Sequence, residues 1–193
     1  MDISEFKLRP ETIKGTIGED FVDEYYKPKW VLMSPLDADS SHEFDRVQIA
    51  RPGFPEMIRL LEIKTNNRRK SYDDTGINYE HWLTYLDYHK PPDRRMWLVF
   101  VDPLQGKVYG QYLDVLEQKV PKVYWFAGRK KSVIYPWHDR TGKTGGKVYF
   151  LLDSFAHICV LPWEVREKLN AIETRKDPRY VPSKMSVAQI ELI

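Results

Sequence analysis

The sequence predicts an α/β fold: a central mixed β-sheet flanked by helices, with a β-rich basic segment extending it on the C-terminal side. Three observations carry this prediction. Apolar residues recur at helical spacing in two segments of the first ninety residues, with strand-length apolar runs between and after them. The elements follow the order helix, three strands, helix, strand, which is the pattern of a mixed layer fold. Basic residues then concentrate late in the chain, with eight Lys or Arg between residues 119 and 147 against one acid, Asp139.

The first helix is expected over residues 11–26, where Ile13, Ile17, Phe21 and Tyr25 recur every fourth position and Pro28 stops the run. Residues 30–33 read as a short strand, and 37–41 as a polar loop. Two strand-like runs, 44–49 and 57–64, flank the turn-rich connection Arg51-Pro-Gly-Phe-Pro55 and predict a β-hairpin. The polar, basic stretch 66–76 reads as an exposed loop. A second helix is expected over 77–89 through Trp82, Leu83, Leu86 and His89, and Pro91-Pro92 ends it. The uninterrupted apolar run 96–101 has the pattern of a strand buried on both faces, and 107–113 follows as a further strand. Beyond residue 118, strands are expected at 122–126 and 147–152, a helix at 163–172 after Pro162, and an irregular tail over 173–193.

Composition narrows the function classes. With 193 residues, 42% hydrophobic and 30% charged, the chain suits one globular domain with an appendage. No apolar run approaches the length of a bilayer span, and the N-terminal residues lack the basic-then-apolar order of a secretory signal. No membrane partner and a cytoplasmic location are therefore expected. The single cysteine, Cys159, excludes an intrachain disulfide and a Cys-based metal site, and reads as a small buried hydrophobe. Net charge is only +2, so the basic stretch at 119–147 leaves the remainder net acidic; that asymmetry favours a polyanionic partner.

The hairpin holds the most telling arrangement. When residues whose numbers sum to 107 are paired, one face carries Ile49 opposite Ile58, Val47 opposite Leu60, Asp45 opposite Glu62, and Glu43 opposite Lys64. Opposed Cβ atoms lie roughly 4.5–5.5 Å apart, and like charges at that distance are unfavourable unless solvated or neutralised. A Mg²⁺ ion neutralises such a pair and keeps waters for a phosphate substrate, while Lys64, two residues past Glu62, shares its face. The competing reading is a solvated hairpin surface with no metal.

Asp45, sixteen intervening residues, and then Leu60-Leu-Glu-Ile-Lys64 together resemble the signature of the PD-(D/E)XK nuclease superfamily. Lys14-Gly15 followed by Glu19 is similar to the first helix of Holliday-junction resolvases and related restriction-type enzymes, and Gly15 is expected to let that helix approach the sheet. Phe44 stands where the family name has Pro. The resemblance covers residues 10–115 or so, and implies a restriction-endonuclease-like core over 1–117, with 118–172 packed on it as a basic, aromatic-rich extension and 173–193 as a tail. It also implies a Mg²⁺-dependent endonuclease (Mn²⁺ substituting) that acts on DNA, with Asp45 and Glu62 as metal ligands. The Ile63 carbonyl would be a third ligand, Glu19 an outer or second-metal ligand, and Lys64 would position water. Superfamily members often dimerise, so a homodimer is implied too. RNA stays open as a substrate, and the alternative function is a non-catalytic nucleic-acid- or protein-binding regulatory factor, for example from a mobile element or phage, that retains the fold.

Two further basic clusters suit phosphate contact. Asn66, Arg68, Arg69 and Lys70 follow the motif directly. Arg129, Lys130 and Lys131 lie among Tyr124, Trp125, Phe126, Tyr135 and Trp137, a mixture suited to gripping a nucleic acid by backbone and base. Other chemistries find no support. The five histidines, His42 near Asp45 among them, form no HExxH spacing, and no nucleophile elbow appears. Gly142-Lys143-Thr144 lacks the earlier P-loop glycine, because Trp137 occupies that position.

Overall fold

The computed structural model describes residues 9–34, 44–53, 58–139 and 145–173. Outside them lie the expected 37–41 loop, His42, Glu43 as partner of Lys64, the end of the Pro-Gly-Phe-Pro turn, the Gly142-Lys143-Thr144 tripeptide and the tail from residue 174.

The protein is α/β, built on a six-stranded mixed sheet. Helix α1 (Pro10–Tyr26) is followed by strands β1 (Trp30–Met33), β2 (Arg46–Ala50) and β3 (Ile58–Thr65). A short strand β4 (Asp74–Asn78) leads directly into α2 (Tyr79–Tyr88). Strands β5 (Arg95–Asp102) and β6 (Lys107–Tyr112) come next, then the one-turn α3 (Leu113–Leu116). The remainder comprises β7 (Val120–Phe126), β8 (Arg129–Tyr135), β9 (Trp137–Asp139), β10 (Lys147–Leu151), β11 (Ala156–Val160) and α4 (Trp163–Glu173). The main sheet runs β1-β2-β3-β5-β6-β11, and β4-β10-β9 and β7-β8 form two smaller ones. Among the described residues only β3 and β5 pair in parallel, and the other strand pairings are antiparallel. A parallel neighbour requires a crossover, and β4 with α2 supplies it.

The alternation of the central strands sets the two cores. Leu60, Met96, Leu98 and Phe100 pack with Trp82 and Tyr85 of α2 and with Val148 and Phe150 of β10. Leu61, Ile63, Val99 and Val101 turn to the other face, against Val22 and Tyr26 of α1 and Leu169 of α4. β5 is thus buried on both faces, as its unbroken apolar run predicts. Glu62 and Lys64, in step with Leu60, belong to the α2 face.

Several expectations need correction. The buried stripe of α1 is Lys14, Gly18, Val22 and Tyr26, one residue on from the expected one, and Tyr25 is exposed. The close approach to the sheet is made by Gly18, where an added Cβ would fall 1.9 Å from the Thr65 hydroxyl; a Cβ on Gly15 would meet only the Glu19 carboxylate, at 3.8 Å. The expected loop at 66–76 ends in β4, and Ile77 belongs to that strand rather than to α2. Within α2 the buried residues are Trp82 and Tyr85, while Leu83 is exposed. Cys159 is only partly buried, because β11 is the edge strand of the sheet.

Candidate active site at the end of strand β3

The β2–β3 register is the one obtained by pairing residues that sum to 107, out of those the alternation allows: Ile49 faces Ile58, Val47 faces Leu60, and Arg46 faces Leu61. The ladder stops there, one rung short of Asp45 and Glu62. The Asp45 amide donates to the Leu61 carbonyl at 3.0 Å, and its carboxylate turns inward to accept the Ile63 amide at 2.6 Å. A side chain thus replaces the missing backbone partner. Successive residues of a strand present their amide and carbonyl to opposite neighbours, so the Ile63 carbonyl shares the direction of its amide and faces Asp45.

Glu62 is buried, and both the Tyr85 hydroxyl and the Lys64 ammonium donate to its Oε1. The Lys64 side chain keeps 27% of its surface exposed against 4% for Glu62, so the lysine reaches in from the more open side of the site to the buried carboxylate. Glu19 and Asp23 come from α1, where Arg46 joins them: its guanidinium donates to Asp23 at 2.9 Å and to Glu19 at 3.5 Å, and also to the Asp45 carbonyl at 2.7 Å. The Gly18–Thr65 contact brings this stretch of α1 against the end of β3.

The electrostatics follow from burial. Desolvation, opposed by Lys64 and reinforced by Asp45, pushes Glu62 up to about 7. Glu19 is likewise raised to about 7, first by burial and next by Asp45. Burial raises Asp45 as well, against the pull of Lys64 and the Ile63 amide. Burial and the charge of Glu62 hold the Tyr85 hydroxyl above its ordinary range, so it stays a donor. His81, whose ring lies 6.1 Å from that of Tyr85, is lowered by burial and then by Lys64. These carboxylates are short of positive charge. Among the described residues no three His, Cys, Asp or Glu side chains gather closely enough to cage an ion. Two carboxylates and a backbone oxygen nevertheless suit Mg²⁺, which takes one or two carboxylates and fills its octahedron with water.

The post-motif cluster divides. Arg68 is held by Asp102 and Asp73, both at 3.2 Å, and by the Tyr109 hydroxyl at 3.4 Å. Arg69 forks onto the buried Asp74 and is enclosed by the rings of Tyr72, Trp137 and Tyr149. Asn66 and Lys70 are exposed, and Lys70 lines a cleft of about 650 Å³ together with Tyr72, Gln105, Tyr124 and Arg166. On the hairpin, Arg129 and Lys130 are exposed, while Lys131 donates to the Tyr72 hydroxyl at 3.0 Å.

Sequence reasoning missed Tyr85, Arg46 and Asp23. Tyr85 reads as part of an apolar helical stripe, and the partners of Arg46 lie on another element. The one available signal is that Asp23 follows Glu19 by one helical turn. Compared with protein-family models, curated proteins and solved structures, the chain matches none. Among the described residues no helix is long and apolar enough to cross a membrane.

Proposed function

We propose that the chain is a Mg²⁺-dependent nuclease of PD-(D/E)XK type that hydrolyses phosphodiester bonds in DNA, with Mn²⁺ able to substitute. One observation carries this reading: Asp45 leaves the ladder to cap the Ile63 amide beside the buried Glu62, whose Oε1 already holds Lys64. The order α1, β1 to β3, α2, β5 agrees with the order that the resemblance implies for a restriction-endonuclease-like core.

A divalent cation held by Asp45, Glu62 and the Ile63 carbonyl would offset charge on the phosphodiester and lower the pKa of water bound to it. The chain's own groups do the rest. Tyr85 fixes the Glu62 carboxylate from α2. Lys64, on the more open side, orients the attacking water or offsets charge on the scissile phosphate. Arg46 restrains Glu19 and Asp23, so Glu19 stands ready as an outer ligand.

The test is cleavage of linear and branched DNAs in Mn²⁺ by wild type, Asp45→Asn and Lys64→Ala, with folding of each checked by circular dichroism. Each substitution is expected to lower the rate at least about 10²-fold, as loss of a charge-stabilising group does. Equal rates in all three proteins would sink the reading.

A further inference from the structure

The β7–β8 hairpin turns through Ala127 and Gly128, both at positive φ (47° and 76°), the two-residue turn that matches the twist of a hairpin. Its register sets Trp125 opposite Lys130, Val123 opposite Ser132 and Pro121 opposite Ile134. The inner face is occupied: Tyr124 and Phe126 pack on Tyr72, and Val133 and Tyr135 are buried. The outer face is bare, with Trp125 70% exposed, Ile134 58% and Val123 42%.

Among its paired residues the outer face carries one charge, Lys130, and the segment around it is basic. Between Glu117 and Asp139 the sequence holds five Lys or Arg and no acid. Lys122 is spent on Asp153 and Lys131 on Tyr72, whereas Lys119, Arg129 and Lys130 are exposed. The occupant must therefore be polyanionic and must also offer flat apolar surface. A nucleic acid with unpaired bases does both; a duplex stacks its bases away and offers mainly phosphates.

We infer that the outer face of this hairpin is a platform for unpaired nucleic-acid bases, with Trp125 as the stacking residue and Lys130 across from it as a phosphate contact. The inference takes its polymer class from the proposed function and rests on that reading. The cleft lined by Lys70 and Tyr72 reaches Tyr124 on the inner face of β7, so it links the post-motif loop to the side of the hairpin opposite Trp125.

The experiment is fluorescence anisotropy in EDTA at low salt, with labelled oligothymidylate and a duplex of equal length. Wild type, Trp125→Ala, Trp125→Phe and Lys130→Ala are compared. Trp125→Ala should weaken single-strand binding about tenfold and duplex binding less than about twofold, and Trp125→Phe should recover most of the loss. Lys130→Ala should weaken both DNAs to a similar degree. Single-strand affinity unchanged in Trp125→Ala overturns the inference. So does failure of wild type to bind either DNA, an outcome that would assign the apolar face to a protein partner. Trp125-dependent binding without cleavage would remove the nuclease reading alone, and cleavage with Trp125-independent binding would remove the platform alone.

Discussion

Two clusters of acids and bases lie ten residues apart in the chain, and they are wired in opposite ways. Around Asp74 every charge is matched: Arg69 forks onto the carboxylate, the Tyr135 hydroxyl adds a third donor, and three aromatic rings surround the guanidinium. At the end of β3, Glu19, Asp23, Asp45 and Glu62 share two cations, Lys64 and Arg46, and burial makes ionisation of all four costlier. The first arrangement gives rigidity. The second leaves a deficit of positive charge that a ligand can fill, the kind of electrostatics that functional sites share with some structural ion-pair networks.

The largest effect separating the two clusters should be on stability. Arg69→Ala strands the buried Asp74 and should cost about 3 kcal/mol or more in urea unfolding, whereas Asp45→Asn should leave stability nearly unchanged or raise it. Similar losses in both would erase the contrast. Gly18→Ala comes next, at about 1–3 kcal/mol, because the new methyl collides with Thr65. Adding Thr65→Ala should recover part of that loss, and strict additivity of the two changes would break the explanation.

A pH series sharpens the contrast further. In the metal-free protein Glu62 holds its proton up to about 7, against an ordinary value of 4.5. Between those values the folded state binds a proton that the unfolded chain has released, so stability is greatest below the lower value and declines as pH rises through the higher one. Glu19 contributes in the same window and direction. Lys64 is raised from 10.5 and stays charged throughout, so it adds no slope there. The decline should amount to about 1–3 kcal/mol after allowance for solvent screening. Mg²⁺ should recover it at pH 7.5 and do little at pH 5, where protons compete for the same oxygens. A flat thermal-stability profile with pH would remove the charge deficit. The smallest effect is that of Lys70→Ala, which should weaken DNA binding two- to threefold and reduce the salt slope by about one.

Much of the sheet was legible because it obeys simple periodicities. The alternation of β2 and β3 assigned their faces, centring the turn near Gly53 chose among the registers that alternation allows, and the unbroken run of β5 announced its double burial. What escaped was made by partners from elsewhere. β4 looks like a loop because Asp74 and Thr75 are polar, yet they are buried once Arg69 and Tyr135 meet Asp74. The apolar positions of α1 located the helix, and Ile17 and Phe21 do pack on the core, but its most buried stripe also contains Lys14 and Gly18, neither of which registers as core. At the site, Asp45, Glu62 and Lys64 announce themselves through spacing, whereas Tyr85 and Arg46 acquire meaning only when α2 and α1 are folded over β3. Arg68 and Arg69 read as phosphate contacts although Asp73 and Asp74 follow only five residues on, because the stretch between them reads as an exposed loop and not as the approach to β4; only Asp102 is remote in the chain.

The last strand of the main sheet, β11, pairs with β6 across an interval of some fifty residues that holds the hairpin and the strands β9 and β10. The sheet is therefore completed late in synthesis, by one of the slower, non-local contacts of the fold. A fragment ending at residue 117 would carry every motif residue and still leave β6 unpaired on one side and the α1 face without Leu169. The open edge would then fall on β6, beside the fully buried β5, and such an edge recruits other chains. For this protein the shortest folding unit is set by where the sheet gains its last strand, not by where the motif ends.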